Sequence, residues 1–137
     1  MTQADEIQKL AAIGLFEGLQ PDALGEVLRA CRWEQRDEGE FYFFQGDAAE
    51  MVYVLVEGRV KLLQLTAEGQ QVILRMAIPW TLFGLVGSVK DATYPVTAEA
   101  AERCRAMGWT RQVLQGLIEK YPRIATNAMQ LMAVHVQ

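Results

Sequence analysis

The sequence predicts a mainly β domain with helices at both ends. Three observations carry this. Apolar residues recur at helical spacing before residue 32 and after residue 110. Between those limits the period falls to two. Gly46, Gly58 and Gly69 divide that middle region at near-regular intervals, the rhythm of an antiparallel sandwich or barrel. The 137 residues fit one domain, and a hydrophobic content of 51% allows a packed core.

Residues 3–13 read as a first helix, with Ile7, Leu10, Ala11 and Ile13 on one side and Gly14 as the stop. Residues 15–19 form a short apolar connection. Pro21 opens a second helix, where Asp22 meets the positive end of the helix dipole and Leu24, Val27, Leu28 and Cys31 repeat at helical spacing. From Trp33 onward short β segments are expected at 41–45, 51–56, 59–65 and 71–77. Glu57-Gly58 and Glu68-Gly69 are expected to be hairpin turns, because glycine takes positive φ at little steric cost. Residues 79–95 break the rhythm with Pro79, Gly84 and Pro95 and a polar tip at Lys90-Asp91. A long, partly apolar excursion between strands is where a binding site is sought. Strands resume over 96–100 and 104–109. Thr110 can cap a helix from 111 to about 120, and Tyr121-Pro122 restarts the chain.

In the last segment Ile124, Ala125, Ala128, Met129, Leu131, Met132, Val134 and Val136 surround most of a helix. A helix apolar nearly all round needs cover on more than one side. The β domain can supply one side, and the same helix of a second copy is the simplest cover for the other. No Gly, Asn or Pro stops the pattern near Gln137, so the helix is expected to continue in a longer protein.

Composition excludes several functions. Thirteen Lys and Arg against 17 Asp and Glu give a charge of −4, unsuited by itself to gripping nucleic acid. No apolar stretch approaches a membrane span, and the acidic N-terminus lacks the apolar core of a signal peptide. A single histidine, His135, rules out a histidine-built metal site. Cys31 and Cys104 form no CxxC pair and read as buried thiols. No nucleophile–base pair or carboxylate pair stands out, so no enzyme is expected.

In their order and spacing these pieces resemble the sensor domain of bacterial transcription regulators of the Crp/Fnr type. Leu15-Phe16-x-Gly18-Leu19 is similar to the family's opening motif. Glu40-Phe41-x-Phe43-x-Gln45-Gly46-Asp47 is similar to the turn after the second roll strand. Tyr53-Val54-x-Val56-x-Gly58-x-Val60 resembles the central hairpin, Phe83-Gly84 the start of the phosphate-binding cassette, and Tyr121-Pro122 the approach to the dimer helix. The resemblance covers residues 10–137. It implies a double-stranded β-helix, that is, a jelly-roll-like β roll, with N-terminal helices and a long C-terminal dimerisation helix starting at 122–137. It also implies a cytoplasmic homodimer with an unknown small-molecule effector and no membrane contact. DNA would be reached only through a helix-turn-helix domain expected beyond the chain end.

In the cyclic-nucleotide-binding members a glutamate follows Phe-Gly and takes the ribose 2′-hydroxyl. An Arg-Ser or Arg-Thr pair, about ten residues on, neutralises the phosphate. Here Leu85 stands at the glutamate position and Tyr94-Pro95 at the arginine pair. A phosphate buried without a cation faces several kcal/mol of desolvation. Weak or absent binding of cAMP and cGMP is therefore expected. The degenerate pocket of Phe83, Gly84, Leu85, Val86, Tyr94, Pro95 and Val96 suits an apolar or aromatic ligand, or none. Lys90 at the polar tip reads as a solvated lysine. The dimer helix is assigned Ile124, Ala128, Leu131, Met132 and His135. No cofactor or metal is expected. Oxygen sensing by a cysteine cluster lacks its cysteines, and haem sensing would have to recruit His135, Cys31, Cys104 or the methionines as axial ligands. Alternatives are a cyclic-nucleotide-binding module of another signalling protein or a haem-based gas sensor of the same family.

Overall fold

The β-patterned middle of the chain forms eight strands in a computed structural model that describes residues 1–135. They are β1 (Arg32–Arg36), β2 (Phe41–Phe43), β3 (Met51–Glu57), β4 (Val60–Leu65), β5 (Gln71–Ala77), β6 (Leu82–Phe83), β7 (Thr97–Ala100) and β8 (Cys104–Thr110). Two antiparallel sheets result, ordered β1-β8-β3-β6 and β2-β7-β4-β5. This is the mainly β roll that the glycine rhythm and the resemblance predict. Residues 52–56 of β3 are all buried, which is why this run of Val, Tyr and Leu lacks a polar alternation. The roll's interior is a cluster of Tyr42, Phe43, Tyr53, Leu62, Phe83 and Tyr94 with small residues at Ala77, Ala98 and Ala106.

One expected hairpin is corrected. β3 pairs with β6 and β8, whereas β4 pairs with β5 and β7, so Glu57-Gly58 joins strands of different sheets rather than turning a hairpin. Gly58 has φ +93°, and a Cβ there would run into the carbonyl oxygen of Arg103 and lie 2.7 Å from Cys104 Sγ. A sequence pattern of apolar run, glycine, apolar run is the same for a hairpin and for a crossing between sheets. The Glu68-Gly69 turn does close a hairpin: β4 and β5 pair, Thr66 N–H donates to Gln70 O at 2.8 Å, and Gly69 has φ +85°. β5 is a sheet edge and is exposed except at Ala77. Leu65, Ile73, Leu74 and Ile78 of this hairpin region are each more than half exposed.

The chain divides into two units, Arg32–Arg111 and a helical unit of Met1–Cys31 with the segment from Gln112 onward. In the helical unit α1 (Gln3–Ala11) starts with a capping box between Thr2 and Asp5, two orphan N–H groups being satisfied reciprocally. A 3-10 turn at Gly14–Phe16 follows, and α2 (Pro21–Ala30) has Pro21 in its first turn. Helices α3 (Arg111–Lys120) and α4 (Arg123–His135) complete it. Thr110, expected as a cap, is the last residue of β8. Glu26 accepts from Tyr121 Oη at 2.7 Å and from Lys120 Nζ at 2.9 Å, and these bonds hold its carboxyl below the usual range.

The dimer-helix assignments also need correction. Ile124 and Ala128 are buried within the chain. Leu131 packs beside Gly14, where a glycine Cβ would be 3.2 Å from Leu131 Cδ2. The 3-10 turn that α4 covers begins at Gly14, which the helical pattern reads only as a stop. Sequence reasoning missed Asn127, which is 3% exposed and donates from Nδ2 to Leu15 O at 3.0 Å and Glu17 O at 2.9 Å. Among the described residues, the large apolar side chains that α4 leaves open are Met129 and Val134. Leu131 and Met132 are half-buried, and the His135 side chain lies outside the described residues.

Candidate functional site: a cassette without its charges

The segment 79–95 is more ordered than its composition suggests. β6 pairs Leu82 with Val54 and Phe83 with Tyr53, at the edge of the first sheet. Gly84 then takes φ +74°, and a 3-10 turn over Leu85–Ser88 follows. Gly87 is required by contact: a Cβ would collide with the backbone of Met51. Ser88 Oγ donates to Leu85 O at 2.8 Å, and Val89 N–H to Val86 O at 2.9 Å. The loop returns along residues 46–49. Ala49 N–H donates to Ala92 O, Tyr94 N–H to Asp47 O and Gly46 N–H to Tyr94 O, at 2.8 to 3.0 Å. Arg111 holds both sides of this loop from Nη1, donating to Ala49 O at 3.1 Å and to Val89 O at 3.4 Å. Neither role is visible in the sequence, because both depend on loops distant along the chain.

Tyr94, which the sequence reading sets at the arginine position, faces inward. It is 4% exposed, and its ring stacks on Phe43 with centroids 3.7 Å apart and planes at 10°. Its hydroxyl donates to Met51 O at 2.7 Å and accepts from Met51 N–H at 3.0 Å. Phe83 stacks on Tyr53 at 5.1 Å. Burial keeps the Tyr94 phenol protonated above its usual range and pushes Tyr53 up to about 12. These phenols offer no anion at neutral pH.

The pocket residues therefore separate. Phe83 and Tyr94 are core, and Val86 and Val96 pack against that core. Leu85 is half-buried with no side-chain polar atom to offer a ribose, and Pro95 is exposed. Lys90 and Asp91 are exposed at the loop tip, as the polar tip predicts. Cys104 Sγ donates to Arg59 O at 3.1 Å and Glu102 O at 3.2 Å, and burial pushes the thiol up, away from reactivity. Neither cysteine is in a disulfide. Among the described residues no cluster of His, Cys, Asp and Glu could hold a metal, and no helix is long and apolar enough to cross a membrane.

Residues 33–121 match the cyclic nucleotide-binding domain family. This chain belongs to that family. Within it, the likeness is to Crp/Fnr sensor domains. The chain is 31% identical over 116 residues to the transcriptional activator protein anr of Pseudomonas aeruginosa, covering 85% of this chain and 46% of the relative. Its fold superposes on the catabolite activator protein of Thermus thermophilus with TM-score 0.85 and 27% identity, over 90% of this chain and 58% of that one. The sensor domain of the regulator DNR from Pseudomonas aeruginosa matches with TM-score 0.82 and 27% identity, over 98% and 90% of the two chains. The chain spans about half the length of the curated relatives it matches first. Other relatives, an acetyltransferase among them, contain the family's domain within a longer protein named for an enzyme.

Proposed function

We propose that this chain is the effector-sensing and dimerisation part of a Crp/Fnr-type transcription regulator that does not answer to cAMP or cGMP. One observation carries the reading. The side chain at the arginine position is a tyrosine stacked and hydrogen-bonded into the core, and a leucine stands at the glutamate position. A cyclic phosphate placed there would lose its water without gaining a counter-charge, which costs several kcal/mol. The β roll itself performs no chemistry in this reading. It holds a loop, residues 84–93, whose packing state is the signal.

Homodimerisation is supported by two uncovered apolar surfaces, Met129 with Val134 on α4 and the open β5 edge. Two side chains on a helix fall far short of the roughly 800 Å² per partner that a stable interface buries. A long apolar edge left bare invites aggregation, so cover in the native assembly is expected. In the whole protein, the continuation of α4 leads to a helix-turn-helix domain that reads DNA, in the cytoplasm. A ligand acts by favouring one of two dimer arrangements.

Titration calorimetry with cAMP and cGMP tests the reading: no saturable heat is expected at submillimolar nucleotide. Micromolar binding of either would overturn it. Sedimentation equilibrium is expected to show self-association that Met129→Glu with Val134→Glu reduces, because two carboxylates would be buried at the seam.

A further inference from the structure

Residues 94–95 hold no arginine, but a cation from the opposite sheet reaches the start of the cassette. Arg75 is the sole charged residue between Glu68 and Lys90. Its register partner on β4 is Leu62, and Val60 pairs with Ala77 two residues away. Val60, Leu62 and Ala77 all belong to the interior cluster. Side chains two apart share a sheet face, so Arg75 stands on the inner face of the β4–β5 hairpin. Its Nη2 donates to Leu82 O at 3.1 Å. Leu82 lies on β6, the edge of the other sheet, two residues before Gly84. The guanidinium thus bridges the two open sheet edges at the point where the cassette begins.

Its pairing sets it apart. Arg36, Arg59 and Arg105 each face a glutamate, at 3.2 to 3.5 Å, whereas no described ion pair includes Arg75. A guanidinium carries five N–H donors, and one described bond to a carbonyl leaves most of them for a ligand. Gln64, also on β4, donates from Nε2 to Pro95 O at 3.4 Å and so ties the hairpin to the far end of the cassette. Leu82, whose carbonyl takes the Arg75 bond, and Leu85, Val86 and Val96 of the cassette segment are apolar and half-buried.

We infer that Arg75 is the anion-holding group of the effector site, and that the effector is a small carboxylate with a compact apolar body. The inference rests on the effector-domain reading above. A planar carboxylate matches the guanidinium fork with two parallel hydrogen bonds. The apolar body is needed because an exposed ion pair by itself contributes little. A cyclic nucleotide fits poorly, since the Leu85 side chain offers its ribose no acceptor.

Amide NMR titrations of this chain with sodium phenylacetate and sodium octanoate test the assignment, with phenylacetamide as the neutral isostere and cAMP as a fourth probe. At least one carboxylate is expected to shift the amides of residues 82–86 and 96 saturably. Phenylacetamide, and the Arg75→Gln variant with either carboxylate, are expected to bind at least tenfold more weakly. Arg75→Lys is expected to recover part of the loss. The Arg75→Gln spectrum without ligand should superpose on the wild type away from the hairpin, which separates lost binding from lost folding. Equal affinity in Arg75→Gln, shifts confined to other parts of the chain, or no saturable shift with either carboxylate would overturn the inference. If that happens while cAMP stays silent, the effector-domain reading stands and Arg75 falls. If cAMP binds through Arg75, the anion-holding role stands, while the carboxylate class and the cAMP-silent reading fall.

Discussion

Replacing Tyr94 by phenylalanine isolates the hydroxyl that closes the cassette. The ring, its burial and its stack on Phe43 are retained, and only the two bonds to the Met51 backbone are lost. Each intramolecular hydrogen bond contributes about 1 kcal/mol, and a buried partner left unsatisfied raises the loss to as much as about 3 kcal/mol. Met51 is half-buried, so water can partly replace the hydroxyl, and about 2 kcal/mol is expected in total. With an unfolding entropy near 2 cal/mol/K per residue, each kcal/mol lowers the Tm of a domain this size by about 3.5 °C, giving a drop near 7 °C. Thermal and urea unfolding followed by circular dichroism provide the assay. Tyr42→Phe is the control: it loses one bond, to Glu34 O at 3.0 Å, and should lose about half as much. Amide exchange should quicken at Gly87, Val89 and Ala92, whose N–H groups lie in the loop that Tyr94 fastens. Cyclic-nucleotide binding should not appear, because no cation has been added. A Tm loss under about 2 °C would refute the claim that this hydroxyl holds the loop closed.

Three further outcomes are expected. The buried phenols of Tyr53, Tyr94 and Tyr42 all titrate above their ordinary range because burial disfavours the phenolate. Their stabilisation is complete below pH 10 and is lost as pH rises above it, so alkaline unfolding tracked by phenolate absorbance should be steeper in wild type than in Tyr94→Phe. Gly58→Ala should destabilise by about 3 kcal/mol or more, adding left-handed backbone strain to overlap with Arg103 and Cys104. Gly46→Ala, with φ +90° but open space around it, should lose only about 1–2 kcal/mol in the same urea titration. Asn127→Ala strips the carbonyls of Leu15 and Glu17 of their donor and should lose about 2–3 kcal/mol. Asn127→Asp should do no better, since a carboxylate brings no N–H.

Much of the fold was legible because its determinants are local. Pro21 in a first turn, the Thr66–Gln70 hairpin and the period-two runs each declare themselves within a few residues. The helical reading of the last segment holds over Arg123–His135 of the described residues, but its faces were misread. Apolar residues all round α4 left the choice of buried side to tertiary contacts, and the choice fell on Ile124 and Ala128 within the chain. From the sequence, Leu85 and Tyr94 could be read as uncharged. The long-range bonds could not be read: the Tyr94 hydroxyl finds Met51, 43 positions earlier, and Arg75 crosses to β6.

The order of helices and strands, the acidic balance and the absence of the phosphate-binding pair follow from the amino-acid order alone, because periodicity, turn chemistry and residue identity are one-dimensional properties. Which strands became neighbours, that Gly58 crosses between sheets, and that an arginine from β5 bonds the Leu82 carbonyl on β6 were decided only when the chain folded. Those relations depend on which distant backbone groups find each other's hydrogen bonds, and on which side chains then share an interior.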